Sequence, residues 1–133
     1  SKLRELALLH AVKLDKGEYE WVQHVPVALK LGATQAQIDA LEKGEDGASC
    51  FSAAEQAALK LTREVVVDVR SSEATLAAAR QHYSDREIVE LIVMAGFYIM
   101  LARLTETTGV ENEASIADKM LSDINAWKNK KKG

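Results

Sequence analysis

A glutamate and a histidine lie one helical turn apart in the segment EYEWVQHVPVALKLGA. In an α-helix, residues four apart project from the same face, so Glu20 and His24 can share a proton there. The apolar residues that follow on this face are Val27, Ala28 and Leu31, so the pair is predicted to lie at the boundary between solvent and the core. Imidazole titrates close to neutral pH and a nearby carboxylate favours its charged form, so the pair suits general acid–base chemistry.

A second acid occupies a position where an apolar residue would be expected. Glu5 shares its side of the first helix with Leu8, Leu9 and Val12. Simpler interpretations stay open for all three candidate residues. An exposed Glu20–His24 pair would contribute only about 0.3 kcal/mol to its helix. Glu5, in the first helical turn, would in that case only interact favourably with the helix dipole.

Two aromatic residues are candidates for substrate binding. Trp21 adjoins the polar pair, although it fits the core equally well. Tyr98 lies in the apolar stretch AGFYIML, where its phenol needs a hydrogen-bond partner if it is buried. His10 is interpreted as a packed histidine and His82 as part of a helix end. The histidines show no HxH or HExxH spacing, so neither a metal site nor a cofactor is predicted.

The elements that carry these residues are predicted to be helices, because no segment alternates with the period of a strand. The predicted spans are 2–14, 18–31, 34–42, 52–70, 72–82 and 84–108. Three of these helices begin with a capping box, in which a Ser or Thr is followed three residues later by Glu or Gln. Gly32 is a suitable helix stop, and Pro26 predicts a kink. The fold class is therefore predicted to be all-α.

Charge and cysteine content limit the partners and the compartment. A formal charge of −3 and a pI near 5.6 give no reason to expect nucleic acid. Cys50 is the only cysteine, which leaves no disulfide and no CxxC pair and suits a reducing compartment. The first residues show no signal-peptide pattern. We therefore expect a cytoplasmic protein with a small-molecule partner.

The most apolar stretch predicts an oligomer. IVELIVMAGFYIMLARL, at 88–104, is apolar on nearly every side and contains only Glu90 and Arg103 as charged residues. It falls short of the roughly 20 residues that a membrane span needs, so a buried helix is favoured. One packing face cannot cover such a helix in a small chain. We therefore expect either a central helix or a helix buried between the subunits of a homo-oligomer.

The chain is predicted to divide into a helical domain at 1–110 and a C-terminal segment at 111–133. In that segment apolar residues recur every three or four positions, at Ile116, Met120, Ile124 and Trp127. This stripe predicts a weakly amphipathic helix that packs on the domain or on a neighbouring subunit. The final basic run, KNKKKG, is interpreted as a solvated lysine-rich tail.

Three stretches together resemble the carboxymuconolactone decarboxylase family, which also contains alkylhydroperoxidase D. They are LRELALLHAVKL, EYEWVQHVPVALKLGAT and SDREIVELIVMAGFYIMLARL. The resemblance runs from about Leu3 to Val110. It implies the all-helical fold of that family and assembly as trimers, hexamers or related homo-oligomers.

The peroxidase branch of the family combines a Glu, eleven residues, Cys-x-x-Cys, three residues and a His. Laid on this sequence, the Glu falls on Glu5 and the His on His24, whereas the cysteines fall on Gly17 and Glu20. Thiol-dependent peroxide reduction needs an attacking thiolate and a resolving partner. Cys50 lies outside the motif and cannot supply two sulfurs. The resemblance is therefore to a branch without the CxxC motif, and hydroperoxide reduction is the weaker alternative.

Decarboxylase-type members carry a Glu four residues before the His, like Glu20 and His24. The resemblance thus implies a cofactor-free, lyase-like enzyme acting on a small, cyclic organic acid or lactone. His24 would be the acid or base, Glu20 would orient it, Glu5 would complete the relay, and Trp21 and Tyr98 would bind substrate. A non-enzymatic helical oligomer that binds a small molecule stays open. It predicts a solvated Glu20 and His24 with no apolar hollow beside them.

Overall fold

A computed structural model describes residues 1–109 and 123–130 of the chain. The first range folds into six helices: α1 Lys2–Leu14, α2 Glu18–Lys30, α3 Gln35–Glu42, α4 Ala53–Asp68, α5 Glu73–Arg80 and α6 Asp85–Thr108. Residues 123–130 are also helical, and neither range contains a strand. The all-α prediction is confirmed. Helix α2 continues through Pro26 without ending there.

Side-chain caps begin the helices where the sequence predicts them. In each capping box the hydroxyl of the cap residue accepts a hydrogen bond from the backbone amide three residues on. The side chain at that later position accepts a hydrogen bond from the backbone amide of the cap residue. The three boxes pair Thr34 with Gln37, Ser52 with Glu55 and Ser84 with Glu87. Because each box satisfies amides that the helix leaves unpaired, the starts of α3, α4 and α6 are determined locally.

Left-handed residues end the two longest helices. Gly109 has φ 68° and ends α6 at the predicted stop. Val69 has φ 71° and ends α4 at Asp68, two residues before the predicted end at Arg70. A β-branched residue is strained in this conformation, so the sequence offers no local reason to stop there.

The first helix, and not the last, is central to the fold. Helix α1 packs against α2, α3, α4 and α6. Every residue of α1 from Glu5 to Val12 is buried, including the charged Glu5 and the polar His10. Two polar side chains on the central helix can therefore reach partners on different neighbouring segments.

Of the two places predicted for the apolar stretch, the centre of the chain is not where the helix lies, and burial between subunits stays a prediction. Only 28% of the most apolar stretch of α6 is buried, although the helix packs on α1, α2, α4 and α5. We call its exposed side the outer face of α6; it comprises Val89, Val93, Phe97, Met100 and Leu104. At 24 residues α6 could cross a membrane by length and composition, a test that core helices also pass.

The predicted C-terminal stripe lies only partly within the described residues. Ile124 and Trp127 belong to the helical residues 123–130 and are exposed. Ile116 and Met120 lie outside the described ranges. The boundary predicted at 110 and the packing of this stripe stay predictions.

Candidate functional site

The polar pair that forms joins α1 to α2. His24 Nδ1 lies 2.8 Å from Glu5 Oε2, and the two side chains are 23% and 12% exposed. A carboxylate only accepts hydrogen bonds, so Nδ1 carries a hydrogen, and in the neutral imidazole Nε2 keeps its lone pair. Within the part of the chain that the structure describes, Nε2 has no hydrogen-bond partner. The imidazole is therefore held on one side and available on the other.

A tight turn between α1 and α2 makes this contact possible. Lys16 adopts a left-handed conformation with φ 62°. The next amide, of Gly17, donates to the carbonyl of Val12 over 2.7 Å. The chain thus leaves α1 and enters α2 within three residues, and α2 packs directly against α1.

Glu20 does not pair with His24, although the spacing suggested that it would. Its side chain is buried, with the residue 1% exposed, and its Oε1 accepts a hydrogen bond of 2.8 Å from the hydroxyl of Thr105 on α6. Its other oxygen, Oε2, is buried without a partner among the described residues. Glu5, and not Glu20, is therefore the acid that orients His24.

Gly17 and Glu20, which the resemblance aligned with the redox cysteines, form one packed unit. A Cβ at Gly17 would lie 2.9 Å from Glu20 Oε2 and 3.0 Å from the Cβ of Ala102. Both distances are below ordinary van der Waals contact, so the missing side chain makes room for the buried carboxyl group. Neither position carries a thiol, and the Glu20 carboxyl group fills the space beside Gly17.

Tyr98 connects His24 to an apolar groove. Its ring meets the imidazole edge to face, with the centroids 5.2 Å apart and the planes at 85°. It also lines a groove of about 510 Å³ together with Arg4, Val89, Glu90, Val93, Met94 and Phe97. This volume lies in the range of small-molecule sites. Burial and the charge of Glu5 raise the pKa of Tyr98, so the phenol stays a hydrogen-bond donor at neutral pH.

Trp21 lies apart from this groove. It is buried in the main core cluster, and the Lys13 ammonium stands 5.0 Å from its ring centroid. It lines a separate, smaller hollow of about 210 Å³ beside Gly17. The structure therefore brings Glu5, His24 and Tyr98 together, links Glu20 to α6, and places Trp21 elsewhere; the role of Trp21 in binding stays a prediction.

A second histidine–carboxylate pair, which the sequence gave no reason to expect, lies away from the groove. His10 is completely buried, and its Nε2 lies 3.3 Å from Asp46 Oδ2. Burial lowers the pKa of His10 to about 4 against the opposing charge of Asp46. The imidazole is therefore neutral at pH 7 and donates through Nε2, and Nδ1 is buried without a partner in the described part of the chain.

Arg63 completes this second cluster. Its Nε donates to the same Asp46 oxygen over 2.6 Å, and its Nη2 donates to the carbonyl of Gly44 over 2.7 Å. Burial alone would raise the pKa of Asp46, but the hydrogen bonds and charges of Arg63 and His10 together outweigh it, and the net pKa is below its usual value. The cluster ties α1, α4 and the loop after α3 together and leaves no open ring nitrogen.

The described residues contain no group of three His, Cys, Asp or Glu side chains arranged to hold a metal ion. The chemistry that the site can perform with its own side chains is proton transfer. His24 Nε2 can take or give a proton, Glu5 stabilises the charged imidazole, and the Tyr98 phenol can donate a hydrogen bond to a polar oxygen.

Comparisons with known proteins agree with this fold. The sequence model of the carboxymuconolactone decarboxylase family matches residues 1–64, which include Glu5 and His24. A crystal structure of a protein of unknown function from Agrobacterium tumefaciens, suggested to be the antioxidant defence protein AhpD, has a TM-score of 0.75. The match covers 83% of this chain and 76% of that one at 19% identity, which shows a shared fold. No curated protein sequence matches significantly.

Proposed function

We propose that this chain, whose residues 1–64 match the sequence model of the carboxymuconolactone decarboxylase family, is a cofactor-free, lyase-like enzyme for small organic acids or lactones. The observation that supports this proposal is the Glu5–His24 hydrogen bond of 2.8 Å beside an apolar groove. A partly sheltered imidazole with one nitrogen held by a carboxylate is a suitable proton-transfer group. A compact, cyclic substrate fits the groove volume.

In this mechanism His24 alternates between acid and base. As a base, Nε2 takes a proton while the electron pair of the broken carbon–hydrogen bond moves toward a neighbouring carbonyl. In a decarboxylation, the electron pair of the broken carbon–carbon bond stays on the substrate, and protonated His24 delivers a proton to that carbon. Glu5 stabilises the imidazolium in both cases. The Tyr98 phenol donates a hydrogen bond to the oxygen that gains negative charge.

The main alternative is a non-enzymatic protein that binds a small molecule. It predicts that Glu20 and His24 are fully solvated and that no apolar hollow lies beside them. Glu20 is buried, His24 is hydrogen-bonded and partly sheltered, and the groove contacts Tyr98. These observations favour the enzyme.

The structural likeness to AhpD suggests hydroperoxide reduction as another candidate activity. It requires two sulfurs at the positions of Gly17 and Glu20, and the chain has neither. The Cys50 thiol lies 3.8 Å from the carbonyl of Ala36, on a different part of the fold from His24. We expect peroxide consumption with a dithiol reductant to stay at background. Rapid consumption that survives Cys50→Ser would contradict this expectation.

The reaction can be tested by proton NMR in D₂O with a panel of small cyclic carboxylates and lactones. We expect deuterium to enter one panel member, or carbon dioxide to leave it. His24→Ala should slow that reaction by about 10²- to 10⁴-fold. His82→Ala is the matched control because His82 is exposed and does not line the groove. Equal rates for His24→Ala and the unmodified protein would overturn the proposal.

The part of the outer face of α6 that lies outside the groove supports a homo-oligomer, with a trimer or hexamer as the resemblance implies. Met100 and Leu104 there are 52% and 55% exposed, whereas Val89, Val93 and Phe97 line the groove. Met100→Glu should lower the mass measured by light scattering to that of one 14.6 kDa chain. Val67→Glu, at an equally exposed valine on α4, is the control. An unmodified protein that is monomeric at micromolar concentration would refute the assembly. A cytoplasmic location stays a prediction.

A further inference from the structure

The groove beside Tyr98 carries one positive charge, and it comes from Arg4. Four other arginines, Arg63, Arg80, Arg86 and Arg103, have a carboxylate within 3.1 Å. Within the described residues Arg4 has no such partner, and its side chain lines the groove. An unpaired guanidinium at the edge of an apolar wall is a ready binding group for a carboxylate, since its planar fork matches two oxygens.

Arg4 is also close to the acid–base pair. It directly precedes Glu5, which holds His24, and it lines the same groove as Tyr98, whose ring meets the imidazole. Burial and Glu5 raise the pKa of Tyr98, while the charge of Arg4 opposes them, so these charges lie within electrostatic reach of one another. The groove therefore has a cationic group and a proton-transfer group close to one apolar wall.

One carboxylate also lines the groove and has to be taken into account. Glu90 Oε1 accepts a hydrogen bond of 3.1 Å from Arg86, on the turn before it. That ion pair partly neutralises Glu90, although both side chains are largely exposed and water weakens the pairing. Arg4 is thus the group in the groove that is available to an anion.

We propose that the Arg4 guanidinium binds the carboxylate of the substrate, so that the groove selects an anion with an apolar body over its neutral analogue. The inference rests on the proposed function, because it takes the groove as the substrate site. Arg4 is a specificity residue here. The carboxylate is held at Arg4, the apolar body contacts Val89, Val93 and Phe97, and the end nearest Tyr98 lies on the side of His24.

The test compares benzoate with benzamide, which has nearly the same shape and no charge. Binding is followed through the NMR shifts of the Tyr98 ring and the His24 imidazole. The unmodified protein should bind benzoate more tightly, and Arg4→Gln should weaken benzoate binding by about 10- to 100-fold. Its affinity for benzamide should change less than twofold. Arg4→Lys should be intermediate, since it keeps the charge and loses the fork.

Arg70→Gln is the matched control, because Arg70 is exposed, lies outside the groove and has no carboxylate partner in the described part of the chain. It should bind benzoate like the unmodified protein. The inference is wrong if the unmodified protein does not prefer benzoate, or if Arg70→Gln weakens binding as much as Arg4→Gln.

This experiment separates the inference from the proposed reaction. His24→Ala should lose turnover and keep the preference for benzoate, because it removes the proton-transfer group alone. Turnover that depends on His24 but not on Arg4, without a benzoate preference, would overturn the Arg4 assignment only. A benzoate preference that depends on Arg4, with turnover unaffected in His24→Ala, would overturn the proposed reaction only.

Discussion

Two histidine–carboxylate pairs use one residue each of the central helix, and their surroundings differ. Glu5 and His24 are separated by 2.8 Å, partly exposed, and next to an apolar groove. His10 and Asp46 are separated by 3.3 Å, and the His10 ring is completely buried. The same two residue types thus appear once with an accessible ring nitrogen and once with both nitrogens enclosed.

This difference shows that access, and not residue type, distinguishes the reactive candidate from the structural one. His10 cannot gain a proton near neutral pH, because burial lowers its pKa to about 4. Its partner Asp46 is already bound by Arg63. His24, in contrast, is partly exposed, and its Nε2 has no partner among the described side chains. Three predictions test this contrast, from the largest expected effect to the smallest.

Replacing the acid of each pair by its amide should give opposite results. Glu5→Gln should lower turnover by about 10²- to 10⁴-fold, because an amide no longer fixes the tautomer or stabilises the imidazolium. Asp46→Asn should leave turnover unchanged and lower the free energy of unfolding, because Arg63 and His10 lose their anionic partner. Steady-state rates and urea unfolding measure the two effects. If both variants kept full turnover, the contrast between the pairs would not hold.

Stability should depend on pH through the buried pair. Between pH 6.5 and about 4, His10 is protonated in the unfolded chain and stays neutral in the folded chain. The free energy of unfolding should therefore fall as pH is lowered through this window, by about 3 kcal/mol in all. The lowered pKa of Asp46 acts in the same direction, with its contribution lost at still lower pH.

His10→Leu should remove most of this pH dependence, while His24→Ala should retain it. Urea unfolding at pH 7 and pH 4.5 provides the measurement. An unchanged pH slope in His10→Leu would show that the fall in stability comes from other groups.

Glu20 is the intermediate case, since it is buried like His10 but lies one turn from His24. Gly17→Ala should lower the free energy of unfolding by about 1–3 kcal/mol, because the new Cβ would meet Glu20 Oε2 and Ala102. In a Glu20→Ala background the same change should cost less, because one of the two close contacts is gone. Thermal unfolding of the four proteins measures this coupling. Additive effects would mean that the two residues do not share their space.

Much of the fold was predictable, because helix signals are local. The capping boxes at Thr34, Ser52 and Ser84 and the stop at Gly109 were read correctly, and so was the all-α class. The end of α4 was not, because Val69 adopts a left-handed conformation that a valine does not favour. The position of α6 was left between the centre of the chain and a subunit interface, because apolar composition does not say which helix the others surround.

The candidate site was predictable in its members and not in its contacts. The sequence indicated Glu5, Glu20, His24 and Tyr98, but it paired His24 with Glu20 because they lie on one helical face. In the structure Glu20 is bonded to Thr105, 85 residues further along the chain. Arg4 and Asp46 carried no signal at all, since an arginine and an aspartate are ordinary surface residues until a groove or a buried histidine lies beside them.

The sequence by itself determined where most helices begin, the absence of a dithiol at positions 17 and 20, and the residues able to move a proton. These properties depend on neighbouring residues or on residue type. Only the tertiary structure decided that Glu5 orients His24, that α1 is central, and that one histidine is fully buried while the other contacts Tyr98 at the edge of a groove. Those outcomes depend on how helices cross, and the crossing is set by packing between residues that are distant in the chain.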